Sequence, residues 1–267
     1  MAALIDGRAR DATPLERALV ALARKSWAEP ARLAPVDLAP VRAVVGDGAL
    51  DYVLVLGGFH FINRIADLLD VDPEALPESL RRFEPIRKLG VRIAAMLMAR
   101  WDLANRPYGR SYEEACEAWA PVFAPALGHP LGDELAPLRA RPKVIEAIAL
   151  ALEERDARSS LERASLAAVQ RAVEQALPSR EDEADGFHAR PADPVEAFAF
   201  VGTRYAQRTT AAMVNALRAR GFDDLGILDL AIAVADANQW ARTHRLLGLA
   251  PELFYLPAGV GARTAVA

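Results

Sequence analysis

His60, Arg64 and Asp67 stand at i, i+4 and i+7, so they share one face if their stretch is helical. Laying the chain on itself with Arg64 over Arg242 matches the three to Asn238, Arg242 and Arg245, with His244 close to the second arginine. Two chemistries fit this pattern. In the first, Arg64 and Arg242 hold a small carboxylate-bearing molecule by paired hydrogen bonds in a cleft that Asn238 also lines. His60 or His244 then exchanges a proton near neutral pH as the catalytic group. In the second, each arginine binds helix-terminal carbonyls, or an acid such as Asp67 or Asp236, and the pair is a packing device. The spacing alone leaves both open.

Other chemistry has less to build on. The four histidines are widely dispersed, with no His-x-x-x-His or Glu-x-x-His pair, so neither a metal nor a cofactor is expected. Cys116 is the single cysteine, which excludes an intramolecular disulfide. Its neighbours Glu114 and Glu117 would raise a thiol pKa, so a packed cysteine is expected; a residual single-thiol peroxidase is the alternative. His129 lies between turn-forming residues in "LGHPLG" and reads as a loop histidine.

The elements that must position these residues are helical. With 267 residues, 52% of them hydrophobic, the chain can bury a large core. A net charge of −4 and the lack of a basic run give no source for counterion release, so nucleic acid is not an expected partner. No secretory signal is recognisable, the cytoplasm is the default, and the apolar stretch from Leu50 to Ile62 is shorter than the roughly 20 residues that span a bilayer. Thr13-Pro14-Leu15-Glu16, Ser111-Tyr112-Glu113-Glu114 and Asp193-Pro194-Val195-Glu196 are helix starts. The first should run to about Trp27, followed by a loop or short turns between Glu29 and Pro40. Segments 84–106, 142–158 and 160–177 repeat apolar residues every three to four positions, as half-buried helices do. Pro178 to Pro194 is acidic and proline-bearing, an exposed connection.

"DYVLVLGGFHFINRIADLL", residues 51–69, tests this all-α reading. Val53 to Leu56 could be a strand and Gly57-Gly58 a phosphate-cradling turn. The self-comparison argues otherwise: Gly48, Leu50, Asp51, Arg64, Leu68, Leu69, Pro73 and Glu74 fall on Gly226, Leu228, Asp229, Arg242, Leu246, Leu247, Pro251 and Glu252. The second copy has Ala-Asp-Ala where the first has Gly-Gly-Phe, and alanine favours helix. A shared backbone makes 53–69 a continuous helix in which Gly57-Gly58 lets another helix pack close. The G-x-G-x-x-G spacing of a dinucleotide turn is also missing. One all-helical domain over 1–267 is expected, with pseudo-repeats at 43–76 and 221–254.

"RARGFDDLGILDLAIAVADANQWARTHRLLGL", Arg218 to Leu249, resembles the C-terminal segment of alkylhydroperoxidase D-like (AhpD-like) proteins, the carboxymuconolactone decarboxylase superfamily. There a leucine-arginine-x-x-glycine turn precedes a long helix carrying asparagine, arginine and a closing leucine-glycine. "FHFINRIADLLDV", Phe59 to Val71, is similar to the same element. The resemblance covers these stretches and the general helical layout, a minor part of the chain by length. It implies an all-α fold of helical hairpins with two related halves, assembled as a homo-oligomer. Active members carry Cys-x-x-Cys, a histidine four residues later and an upstream glutamate. This chain has no Cys-x-x-Cys; Glu174 and His188 are the only conceivable remnants, so dithiol peroxidase activity should be absent. A carboxylate pocket at Arg64 and Arg242 would suit the decarboxylase branch of the superfamily. A non-catalytic oligomeric scaffold or ligand-binding protein is the rival expectation.

Overall fold

The computed structural model describes residues 12–69, 109–158, 160–178 and 191–254. These residues hold α-helices and 3-10 turns, and no strand occurs among them. In chain order the helices are α1 (Pro14–Ala28), α2 (Ala39–Val45), α3 (Ala49–Leu68), α4 (Tyr112–Leu127), α5 (Lys143–Arg158), α6 (Arg163–Ala176), α7 (Pro194–Arg204), α8 (Ala211–Ala219) and α9 (Asp224–Leu247).

The three expected helix starts are present, two as closed capping boxes and the third by its cap residue alone. The Thr13 hydroxyl accepts from the Glu16 amide at 3.2 Å while the Glu16 carboxylate accepts from the Thr13 amide at 2.8 Å. Ser111 and Glu114 repeat this box at α4, and Asp193 accepts from the Val195 and Glu196 amides at α7. Each cap satisfies amides that have no partner within the helix. Between Glu29 and Pro40 lie 3-10 turns at Pro30–Arg32 and Pro35–Leu38. Segments 142–158 and 160–177 contain α5 and α6. The expected helix at 84–106, the end of the first pseudo-repeat beyond Leu69 and most of the 178–194 connection lie outside the described residues.

Residues 51–68 are a continuous stretch of α3, so the strand-and-turn alternative is excluded. Gly57 does what was expected of the glycine pair: a Cβ there would stand 3.0 Å from Thr243 Oγ1 and 3.1 Å from Gln239 Cγ, so a side chain would make these α9 neighbours give by a few tenths of an ångström. Gly58 does not share that role, because a Cβ on it would meet nothing within 4 Å. The helix period explains the difference, since adjacent positions point about 100° apart.

The apolar core forms two clusters. Leu22, Val41, Leu50, Val53, Phe123, Ile145 and Ile148 belong to the first, drawn mainly from α1 to α5. Val173, Phe198, Val201, Leu217, Leu230 and Val234 belong to the second, drawn from α6 to α9. The two long helices pass between them in opposite senses. α3 starts in the first cluster and delivers Leu68 to the second, while α9 starts in the second and delivers Trp240, Leu246 and Leu247 to the first. Where α3 ends, Gly202 of α7 admits Leu68: a Cβ there would be 2.8 Å from Leu68 Cδ2 and 3.2 Å from Val234 Cγ1.

By length and composition alone, Pro35–Leu68 holds an 18-residue window apolar enough to cross a membrane, with a mean hydropathy of 1.3. Its inner face nevertheless carries buried His60 and Arg64 beside Leu50, Val53 and Leu68, all packed against protein. The outer face of α3 leaves Val55, Phe59 and Ile62 exposed.

Candidate functional site

The structure brings His60, Arg64, Asn238 and Arg242 together where α3 and α9 cross, all of them buried. Arg64 donates from Nη1 to the carbonyls of Gly202 and Thr203, each at 2.7 Å. These are among the last carbonyls of α7, which have no amide partner within the helix and carry its partial negative charge. Arg242 donates from Nε to the Ser26 carbonyl at 3.0 Å, in the last turn of α1, and from Nη1 to the Asn238 backbone and side-chain oxygens. Arg64 of α3 thus caps α7, and Arg242 of α9 caps α1.

His60 and Asn238 play matching parts, His60 toward α1 and Asn238 toward α7. The Ser26 hydroxyl spends its hydrogen on the Ala23 carbonyl at 2.8 Å, so it accepts from His60 Nε2 at 2.8 Å. The Thr203 hydroxyl spends its hydrogen on the Ala199 carbonyl at 2.8 Å and accepts from Asn238 Nδ2 at 2.9 Å. The result is a continuous polar chain through the interior, from His60 to Ser26, Arg242, Asn238, Thr203 and Arg64. Buried polar groups are costly unless paired, and these are paired mostly with backbone.

Electrostatics follow from that placement. Burial first, then the charges of Arg242 and Arg64, hold the His60 imidazole down to about 3. Burial also lowers Arg64 to about 10, with Asp67 opposing, and the guanidinium remains charged at neutral pH. The Arg64 guanidinium lies 6.0 Å from the centre of the Trp27 ring, and its Nε is buried without a hydrogen-bond partner.

His244 belongs to a different neighbourhood. Arg245 donates from Nη1 to His244 Nε2 at 3.0 Å and from Nη2 to Glu174 at 2.6 Å, and the Phe254 ring stacks on the imidazole with centroids 6.1 Å apart. Burial and then the Arg245 charge lower His244 to about 4, against Glu174 and the Leu249 backbone. General acid–base work near pH 7 is best served by a group that titrates there, and His60 and His244 both fall well below. Cys116 is half-buried on α4, and burial raises its thiol more than the nearby Tyr112 and Arg139 lower it. Glu113 raises it further, rather than the two glutamates nearest in sequence. His129 is an exposed loop residue whose Nδ1 hydrogen-bonds with the Pro130 carbonyl oxygen at 2.8 Å.

Among the described residues, no group of three or more His, Cys, Asp or Glu side chains is placed to hold a metal ion. An open, polar cleft of about 570 Å³ lies where α6 and α7 begin and the chain turns into α9, with Ser160, Arg171, Asp193, Glu196, Arg220 and Asp223 in its lining. None of the five sequence-derived site residues lines it. Its cations are engaged, Arg171 with Glu196 at 2.8 Å and Arg220 with Asp193 at 3.3 Å.

Sequence reasoning missed Ser26 and Thr203. The register that lays Arg64 on Arg242 puts Ser26 on Arg204, one position past Thr203, so the alignment of the long helices does not pair the two hydroxyls. The available signal was a hydroxyl residue near the C-terminal end of α1 and of α7. The chain matches no family model, no curated protein and no solved structure.

Proposed function

We propose that this chain is an internally duplicated, AhpD-like member of the carboxymuconolactone decarboxylase superfamily that has lost its redox pair and works without turnover. On this reading it is a cytoplasmic, homo-oligomeric helical scaffold. The observation that carries the reading is the use of both repeated arginines as caps: Arg64 Nη1 donates to the end of α7 and Arg242 Nε to the end of α1. The same reading accounts for histidines that stay neutral through the physiological range and for a single cysteine with no resolving thiol. The duplication is supported by the sequence self-match and by the recurring α-helix order at 14–68 and 194–247, a helix, a shorter helix and a long helix, with three 3-10 turns interspersed in the first stretch and one in the second.

Replacing Arg64 or Arg242 by leucine tests the reading. Removing one partner from a buried, hydrogen-bonded charge network costs about 3–5 kcal/mol, so denaturant unfolding of either variant should show a large loss. Adding small carboxylates such as acetate or benzoate to the wild type should leave its melting temperature unchanged. Unimpaired stability in the variants, together with carboxylate binding by the wild type that the variants lose, would refute the scaffold. A carboxylate pocket lined by His60, Arg64, Asn238, Arg242 and His244 is the second reading, and the observation in its favour is the unpartnered Arg64 Nε.

A further inference from the structure

The two core clusters are not two independent bodies joined by a linker. We propose that they are interlocked by exchanged helices and reciprocal arginine caps, so that the chain remains one folded body even after it is cut between α6 and α7.

Four observations carry this, none of which depends on the family reading. α3 begins in the first cluster and seals the second with Leu68. α9 begins in the second and fills the first with Trp240, Leu246 and Leu247, where Trp240 stacks on Phe254 at 5.0 Å. Arg64 closes α7 and Arg242 closes α1, each across the cluster boundary. Two glycines hold the contact tight, Gly57 against Thr243 and Gln239, and Gly202 against Leu68 and Val234. α6 adds a further crossing: it precedes residues 179–190 in sequence, yet Val169, Ala172, Val173 and Ala176 lie in the second cluster. Separating the pieces at 179–190 would strip apolar surface from both and leave the ends of α1 and α7 without their caps. Such an interface resembles a domain core cut in two, as obligate assemblies do.

The test uses the whole chain. A specific protease site is inserted between Ser179 and Arg190, and the purified folded protein is cleaved to completion. Both fragments should co-elute as one species at about 1 µM, which implies a Kd below that value, with helical circular dichroism unchanged and a single unfolding transition. Two separately folded fragments, or fragments that part and lose their helicity in native buffer, would overturn the proposal. The arginine caps are tested in the same cut protein with Arg64→Met and Arg242→Met combined. Dissociation should then occur at a concentration tenfold or more higher than for the cut wild type. A cut variant that associates as tightly as the cut wild type would remove the arginines from the lock.

Discussion

Gly57 and Gly58 offer a comparison in which one helix supplies its own control. Both lie in the interior of α3, where glycine costs roughly 1 kcal/mol relative to alanine, and alanine at either position restricts the unfolded chain equally. The environments differ. A methyl at position 58 meets nothing within 4 Å, so Gly58→Ala should stabilise by up to about 1 kcal/mol. A methyl at position 57 lies 3.0 Å from Thr243 Oγ1 and 3.1 Å from Gln239 Cγ, and Thr243 is itself only 1% exposed, so neighbours must shift by a few tenths of an ångström. Overpacking of this kind costs about 1–3 kcal/mol, enough to cancel or outweigh the helical gain. The two variants should therefore differ by about 1–3 kcal/mol, with Gly58→Ala the more stable. For a chain of this size the gap is several degrees in melting temperature, at about 2–4 °C per kcal/mol. Thermal and denaturant unfolding followed by circular dichroism would measure it. Equal stabilities within about 0.5 kcal/mol, or a more stable Gly57→Ala, would refute the close packing of α3 on α9.

Two further outcomes follow from the electrostatics. His60 is depressed from an ordinary 6.5 to about 3, so the unfolded chain takes up its proton first. The associated stability is fully present above pH 6.5 and is lost as pH falls towards 3, at up to about 1.4 kcal/mol per pH unit. His60→Asn should weaken the fall in denaturant midpoint between pH 7.5 and 4.5; an unchanged pH dependence would count against a buried, neutral imidazole. Burial and Glu113 raise the Cys116 thiol, so iodoacetamide should alkylate the native protein at pH 7.5 at least about tenfold more slowly than the denatured chain. Labelling as fast as in the denatured chain would contradict that placement.

The helical class and the starts of α1, α4 and α7 were legible because their causes are local. Thr13 with Glu16, Ser111 with Glu114, and Asp193 each state a cap within one helical turn of sequence. The helix through Gly57-Gly58 was legible only through comparison with Ala235-Asp236, because two glycines after an apolar run suit a turn as well as a close contact. Which of the two glycines mattered depended on partners in a helix far along the chain, Gln239 and Thr243, and no local pattern encodes that. The candidate site divides in the same way. Grouping His60 with Arg64, and Asn238 with Arg242, required only helical spacing. The choice between ligand and carbonyl as the arginines' partner required the ends of α1 and α7 in space. His244 follows Arg242 and Thr243 in sequence, yet it turns to Arg245 and Phe254, since two steps along a helix means facing away.

Gly248 closes α9 at φ +70°, and a Cβ there would also stand 3.0 Å from Pro35 Cγ, at the start of a 3-10 turn that lies between α1 and α2. Asparagine, the usual substitute for glycine in that conformation, meets the backbone requirement but not the steric one. The two positions are therefore coupled: a smaller residue at 35 removes the cost of a later side chain at 248, which otherwise makes Pro35 give by a few tenths of an ångström. A lineage that acquired the second change first would pass through a destabilised intermediate, so the pair is expected to drift together or stay fixed.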